Sequence, residues 1–301
     1  MPRWRRATPT SRIPGCDAVR RRLVPVVVAL ALGAGSAAAH DSWLSPARDP
    51  SARPPDSYGW LPVPVRLELG TGNRFPVQQF TQAPESVARG ECRDAGGGTT
   101  PLKPVAQHPE ALELQATPVA AASAPSSAIL ACWAELQPAE IVLEPPTVQI
   151  YLAEIKASMA TRSYWNRLLT QGEPWRETYR KYARIELNPG QPTAPERLAA
   201  ARQPAGLDLE LLVLGAQPIT VGAPLDFQVL RDGQPLAGLP VELVSERSAL
   251  GIWRVTDSEG KLRHRLPFAG RWLLRAVDLR PDENRPDAWQ SRFVTLAIDA
   301  R

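Results

Sequence analysis

The stretch LDFQVLRDGQPLAGLPVELV, residues 225–244, decides the fold class. It reads as a strand from Leu225 to Leu230, a hairpin turn at Asp232-Gly233 and a second strand from Val241 to Val244, since Asp-Gly accepts the positive φ angles of a tight turn. Further strand signals stand at Leu207–Leu214, Gly251–Val255, Leu262–Leu266, Trp272–Val277 and Phe293–Ile298, with another turn at Asp257-Ser258-Glu259-Gly260. Short strands with turn signals at this spacing predict an immunoglobulin-like or prealbumin-like β-sandwich over residues 205–301.

Upstream of it, residues 188–204 are rich in Pro, Ala and Gln and read as a linker. From Thr147 to Glu186 the character changes, with no glycine before Gly172. Tyr151, Leu152, Ile155, Met159, Tyr164, Trp165, Leu168 and Leu169 recur at three- and four-residue spacing. Trp175, Tyr179, Tyr182 and Ala183 do the same among Arg176, Arg180, Lys181 and Arg184. Two amphipathic helices are predicted within 147–187, their aromatic stripes packed in a core. Residues 40–146 carry an alternating strand at Pro62–Leu69 and weaker ones at Leu112–Leu114, Ile129–Leu136 and Ile141–Leu143, which predicts a first β domain. The expected class is therefore mainly β, with a short helical insert.

The first 39 residues read as a cleavable signal peptide. Arg3, Arg5, Arg6, Arg12, Arg20, Arg21 and Arg22 precede an uncharged stretch, Leu23 to Ala39, that ends in the small residues Ala37 and Ala39. About 17 residues broken by Pro25 and two glycines are short for a membrane span. Cleavage after Ala39 would start the mature chain at His40, in the periplasm, with no membrane span left. The leader holds seven of the 35 Lys+Arg and one of the 31 Asp+Glu, so 28 bases face 30 acids in the mature chain. The apparent pI near 9.2 then gives no reason to expect a nucleic-acid partner. Cys16 leaves with the leader. Cys92 and Cys132 remain as an even pair in an exported chain, and a disulfide closing a loop of about 40 residues is the expectation, two free thiols the alternative.

His40-Asp41-Ser42-Trp43-Leu44 is similar to the His-Asp/Glu-x-Trp-Leu opening of an exported bacterial family of unknown function, labelled as nickel- or cobalt-uptake associated. Gly233-Gln234-Pro235-Leu236-Ala237-Gly238, Thr256-Asp257-Ser258-Glu259-Gly260 and Gly270-Arg271-Trp272 resemble its C-terminal half; Tyr151-Leu152-Ala153-Glu154 and Tyr179 to Arg184 resemble its middle. The resemblance covers nearly the whole mature chain. It implies an N-terminal β domain, a helical insert, a C-terminal sandwich, and a periplasmic role beside a membrane metal-uptake system.

For chemistry, a chain beginning at His40 offers an α-amine and an imidazole on one residue, donors that suit copper(II) and nickel(II). Asp41 adds a carboxylate, and His108 and His264 are the two histidines able to complete a brace around a nickel, cobalt or copper ion. His264 otherwise reads as a histidine packed at a sandwich edge, and His108 as a solvated loop residue. There is no Gly-x-Ser-x-Gly elbow, phosphate-binding loop or paired-histidine metalloprotease helix, so the reading is non-enzymatic. Gly96 to Thr100 reads as a flexible turn. Asp278, Asp282, Glu283 and Asp287 among Arg275, Arg280 and Arg285 read as a solvated charged loop. Trp253, Trp272 and Trp289 raise glycan stacking, with at least two of them expected in the core. The alternative function is a metal-free interaction module of the cell envelope.

Overall fold

The structure is a computed structural model that describes residues 40–47, 64–117, 128–188, 193–285 and 287–301. The expected signal peptide lies outside the described residues.

The first part of the chain supplies β1 (Asp41–Pro46), β2 (Val65–Gly72), β3 (Phe80–Thr81), β4 (Val87–Asp94), β5 (Thr99–Gln107), β6 (Ala111–Ala116), β7 (Ile129–Leu136) and β8 (Ala139–Leu143). Helices α1 (Pro145–Glu154) and α2 (Met159–Thr170) precede β9 (Trp175–Glu186), and α3 (Pro195–Ala201) lies within the expected linker. Then follow β10 (Leu209–Val213), β11 (Pro224–Arg231), β12 (Gln234–Pro235), β13 (Pro240–Ser245), β14 (Ser248–Val255), β15 (Lys261–Arg265), β16 (Gly270–Pro281) and β17 (Ala288–Ala300). Thirteen strands form one mixed sheet in the order β1-β2-β6-β5-β4-β7-β9-β17-β16-β13-β14, with β3 on β2 and β8 on β9; β10, β11, β12 and β15 form a second sheet. The molecule is mainly β, and sheet faces packed on one another make a sandwich. Among the described residues no helix is long and apolar enough to cross a membrane.

The second predicted helix is corrected: Trp175 to Glu186 is a strand, paired in parallel with β17 and antiparallel with β7 and β8. Its neighbours bury both of its faces, so both carry large side chains, and their three- and four-residue recurrence imitates a helical stripe. The first predicted run is helical but divides into α1 and α2. Ser158 caps α2, its Oγ accepting the Thr161 N–H at 3.1 Å.

Side-chain alternation gives the centre of the large sheet two faces. On one, Tyr182, Trp272, Leu274, Ala276, Val294, Leu296 and Ile298 pack against Leu209, Leu211, Phe227, Val229 and Leu262 of the small sheet. The other face is covered in two pieces. Helices α1 and α2 bury Val148, Tyr151, Leu152 and Trp165 against Trp175, Trp289 and Phe293. Strand β1 folds back over the far end, where Trp43 and Leu44 meet Ala183, Ile185, Leu273 and Ala297. Each large apolar side chain buried in these cores contributes roughly 1.5–3 kcal/mol. Cys92 and Cys132, directly opposed on β4 and β7, are disulfide-bonded. Asp232 (φ 50°) and Gly233 (φ 75°) form a hairpin turn, but it joins β11 to the short β12; the second strand expected after it, Val241 to Val244, lies in β13 of the large sheet and does not pair with β11.

Candidate functional site

Between the helical cover and the β1 cover lies a polar seam. It follows from strand period two: Trp175, Glu177, Tyr179, Lys181, Ala183 and Ile185 share one face of β9, so the polar pair Glu177 and Lys181 sits between two apolar regions. Arg275 occupies the corresponding place on β16, between Leu273 and Val277. The start of β1 crosses this seam. Lys181 Nζ donates to the His40 carbonyl at 2.7 Å, Thr295 Oγ1 donates to the Ser42 carbonyl at 2.7 Å, and Arg275 Nη1 meets Asp41 Oδ2 at 2.6 Å. Arg275 Nη2 also holds Glu242 Oε2 at 2.6 Å. At the other edge β1 pairs with β2, placing Trp43 opposite Gly70 and Asp41 opposite Gly72. A Cβ on Gly72 would collide with the Trp43 ring and the Val77 carbonyl, so this close approach requires glycine.

The seam opens into a cleft of about 400 Å³ lined by His40, Asp41, Glu154, Glu242, Trp253 and Arg275 among others. The half-buried His40 ring stacks on Phe80, centroids 5.6 Å apart and planes 8° from parallel. Its Nδ1 is buried and accepts or donates no hydrogen bond among the described residues. Burial and the nearby Lys181 ammonium lower the imidazole pKa, against the pull of Asp41 and a hydrogen bond with Asn73. Burial also brings Lys181 down to about 8, opposed by Asp41 and Glu177. Glu154, at the end of α1, has its carboxyl pushed up by partial burial; Asp41 and Glu242 add to this and Arg275 opposes it. Lys156 Nζ stands 5.3 Å from the Trp253 ring centroid. Deeper, the Glu177 carboxylate accepts hydrogen bonds from Trp175 Nε1 (2.7 Å), Tyr151 (3.1 Å) and Ser291. Burial pushes its pKa up even so.

Of the expected ligands, His40 and Asp41 are in the cleft, and Asp41 is committed to Arg275. His108 and His264 are not brought to them. His108 is an exposed residue after β5, its Nε2 3.2 Å from Glu113 Oε2. His264 lies on β15 in the second sheet, its Nδ1 3.2 Å from Arg254 Nη2, its pKa lowered by burial and by that guanidinium. The expected histidine brace is therefore not assembled: His108 follows β5 elsewhere on the large sheet, His264 lies on β15 of the second sheet, and neither lines the cleft that holds His40. Among the described residues no three His, Cys, Asp or Glu side chains gather at metal-binding distance.

Two other expectations change. Asp278 and Asp282 are buried, not solvated: Asp278 lies between Arg231 (3.2 Å) and Arg280 (3.0 Å), and Asp282 accepts the N–H groups of Asn284 and Arg285. The Gly96 to Thr100 turn is held by Asp94, whose Oδ1 accepts from Gly96 and Gly98. Trp272 and Trp289 are in the core as expected, which leaves Trp253 as the tryptophan of that group facing the cleft. Lys181, Glu154, Glu242 and Arg275 complete the site, and sequence reasoning missed all four in this role. The misread helix hid Lys181, and the apparent charged loop absorbed Arg275.

The fold and cleft define a mainly β protein whose N-terminal strand is strapped across a central sheet beside a charged cavity. The family model described as Domain of unknown function (DUF4198) matches residues 37–278, and the chain belongs to that family. A comparison with curated proteins finds no match to the chain.

Proposed function

We propose that this chain is an exported, non-enzymatic periplasmic protein that binds a transition-metal ion, nickel, cobalt or copper, and delivers it to a membrane uptake system. The reading rests on His40: the residue expected to begin the mature chain lines a cleft of about 400 Å³, with its Nδ1 buried and without a hydrogen-bond partner among the described residues. The side chains present do not make a closed metal site by themselves. They fit an ion when the α-amine of a chain starting at His40 adds a second nitrogen beside Nδ1, with the Glu154 carboxylate also lining the cleft and in no ion pair within 4 Å among the described residues. Amine and imidazole donors favour late first-row divalent ions. Lys181 and Arg275 would hold this end of β1 in place, lowering the ordering cost of binding.

Mass spectrometry of the exported protein tests the premise, with cleavage before His40 expected. Nickel(II), cobalt(II) and copper(II) titrations of the mature chain and of His40→Ala test the site. Binding by the first and not the second supports the reading; equal binding, or none, removes it. A second reading, a metal-free module recognising an envelope glycan, draws support from the half-buried Trp253 ring in the same cleft. It predicts glycan binding that Trp253→Ala abolishes and His40→Ala leaves intact.

A further inference from the structure

A second cleft, of about 340 Å³, opens on the opposite face of the central sheet. Its floor is a grid fixed by strand register. Arg180, Arg292 and Asp278 stand side by side on β9, β17 and β16, and Thr178, Gln290 and Arg280 form the next row. These positions continue the face that carries Tyr182, Val294 and Ala276, past the part covered by the small sheet; Asp208 and Arg231 stand at that sheet's end and form the wall. Four guanidinium groups thus line one cavity, two of them, Arg180 and Arg292, directly opposed across a strand pair. Like charges in that relation destabilise a sheet unless something neutralises them.

Carboxylates do part of this. Arg180 Nη1 reaches Glu135 (3.2 Å) and Asp208 (3.3 Å), Arg292 Nη1 reaches Asp232 (2.8 Å), and Asp278 Oδ1 accepts the Arg280 Nε–H (3.0 Å) while its Oδ2 stands 3.2 Å from Arg231 Nε without a hydrogen bond between them. Both Nη groups of Arg231 and of Arg280 find no partner among the described residues. Arg231 is also depressed in pKa, by burial first and then in part by Arg280 and Arg292. Asp278 therefore orients the Arg280 guanidinium through Nε and leaves its Nη donors free, while the buried Arg231 Nε lies close to Asp278 Oδ2 without a hydrogen bond, so that N–H groups of both arginines are left for an oxyanion.

We propose that this cleft binds a small tetrahedral oxyanion, phosphate or sulfate, free or as the monoester of a small molecule, with Arg231 and Arg280 as its principal donors and Thr178 and Gln290 as polar neighbours. The site is independent of the His40 cleft. Thermal unfolding and calorimetric titration of the full mature chain with inorganic phosphate, inorganic sulfate and a hexose 6-phosphate test it, with sodium chloride at matched ionic strength as control. The expected result is saturable binding in at least one oxyanion arm and none with chloride; Arg231→Gln combined with Arg280→Gln weakens it about tenfold or more, as the loss of charged hydrogen bonds implies. A response confined to the hexose 6-phosphate identifies an ester, and one confined to the inorganic ions a free anion. Circular dichroism shows whether the double variant is folded, and Arg280→Gln alone, at an exposed side chain, gives the same direction of change if it is not. No saturable binding in any oxyanion arm, equal shifts with chloride, or affinity unchanged in the folded double variant overturns the proposal.

Discussion

The buried ammonium of Lys181, in the middle of β9, donates to the backbone carbonyl of His40 at 2.7 Å. This bond joins the first described residue to the centre of the sheet, and the ion pair between Asp41 and Arg275 repeats the attachment one residue on. Lys181→Met removes the donor and leaves a half-buried carbonyl unmatched. A loss of about 1–3 kcal/mol is expected, measured by chemical denaturation. Hydrogen exchange should rise at Ser42 and Trp43 more than at β16; uniform change across the sheet would contradict the strap.

Glu177 carries a pH dependence whose sign follows from its raised pKa. The folded state holds its proton to higher pH than the unfolded chain does. Its contribution is therefore complete below the ordinary carboxylate pKa and is lost as pH rises through the folded value. Denaturation curves from pH 4 upward should show the stability of the native chain falling relative to Glu177→Gln. A constant difference between the two would show that Glu177 does not titrate in this way.

Removing the Cys92–Cys132 bond by paired serine substitution frees a loop of about 40 residues in the unfolded chain, at a cost of about 3 to 4 kcal/mol. The same loss should appear in the native chain under reductant. Reductant should leave the serine variant unchanged.

Gly251 lies under the side chain of Glu242, and a Cβ there would overlap its carboxylate. Gly251→Ala should push Glu242 away from Arg275 and cost about 1–3 kcal/mol. In a Glu242→Ala background the penalty should shrink, since the colliding group is gone. An unchanged penalty would place the cost in the backbone of β14 instead.

The sandwich was legible in the sequence because its strands are short and punctuated, and Asp232-Gly233 and Asp257 to Gly260 turn where their backbone chemistry requires. Cys92 and Cys132 were legible by count. Strand β9 was not, since burial on both faces erases the alternation that marks a strand. The cleft was half legible: the His40-Asp41 pair stood out, but its partners come from β9, α1, β13 and β16. Lys181, Glu154, Glu242 and Arg275 each look like an ordinary surface charge until the sheet brings them together. His108 and His264 were drawn in by residue type alone, and the topology separates them from His40.

In the function proposed above, the amine and the imidazole of His40 act together on a metal ion. The most direct test compares nickel(II), cobalt(II) and copper(II) titrations of two chains, one beginning at His40 and one retaining Ala39. The second keeps the imidazole and the cleft but converts the amine to an amide. Binding by the His40 chain, weakened about tenfold or more by the added alanine, is the predicted result, since each tenfold corresponds to about 1.4 kcal/mol of lost chelation. Equal affinity in the two chains would contradict it.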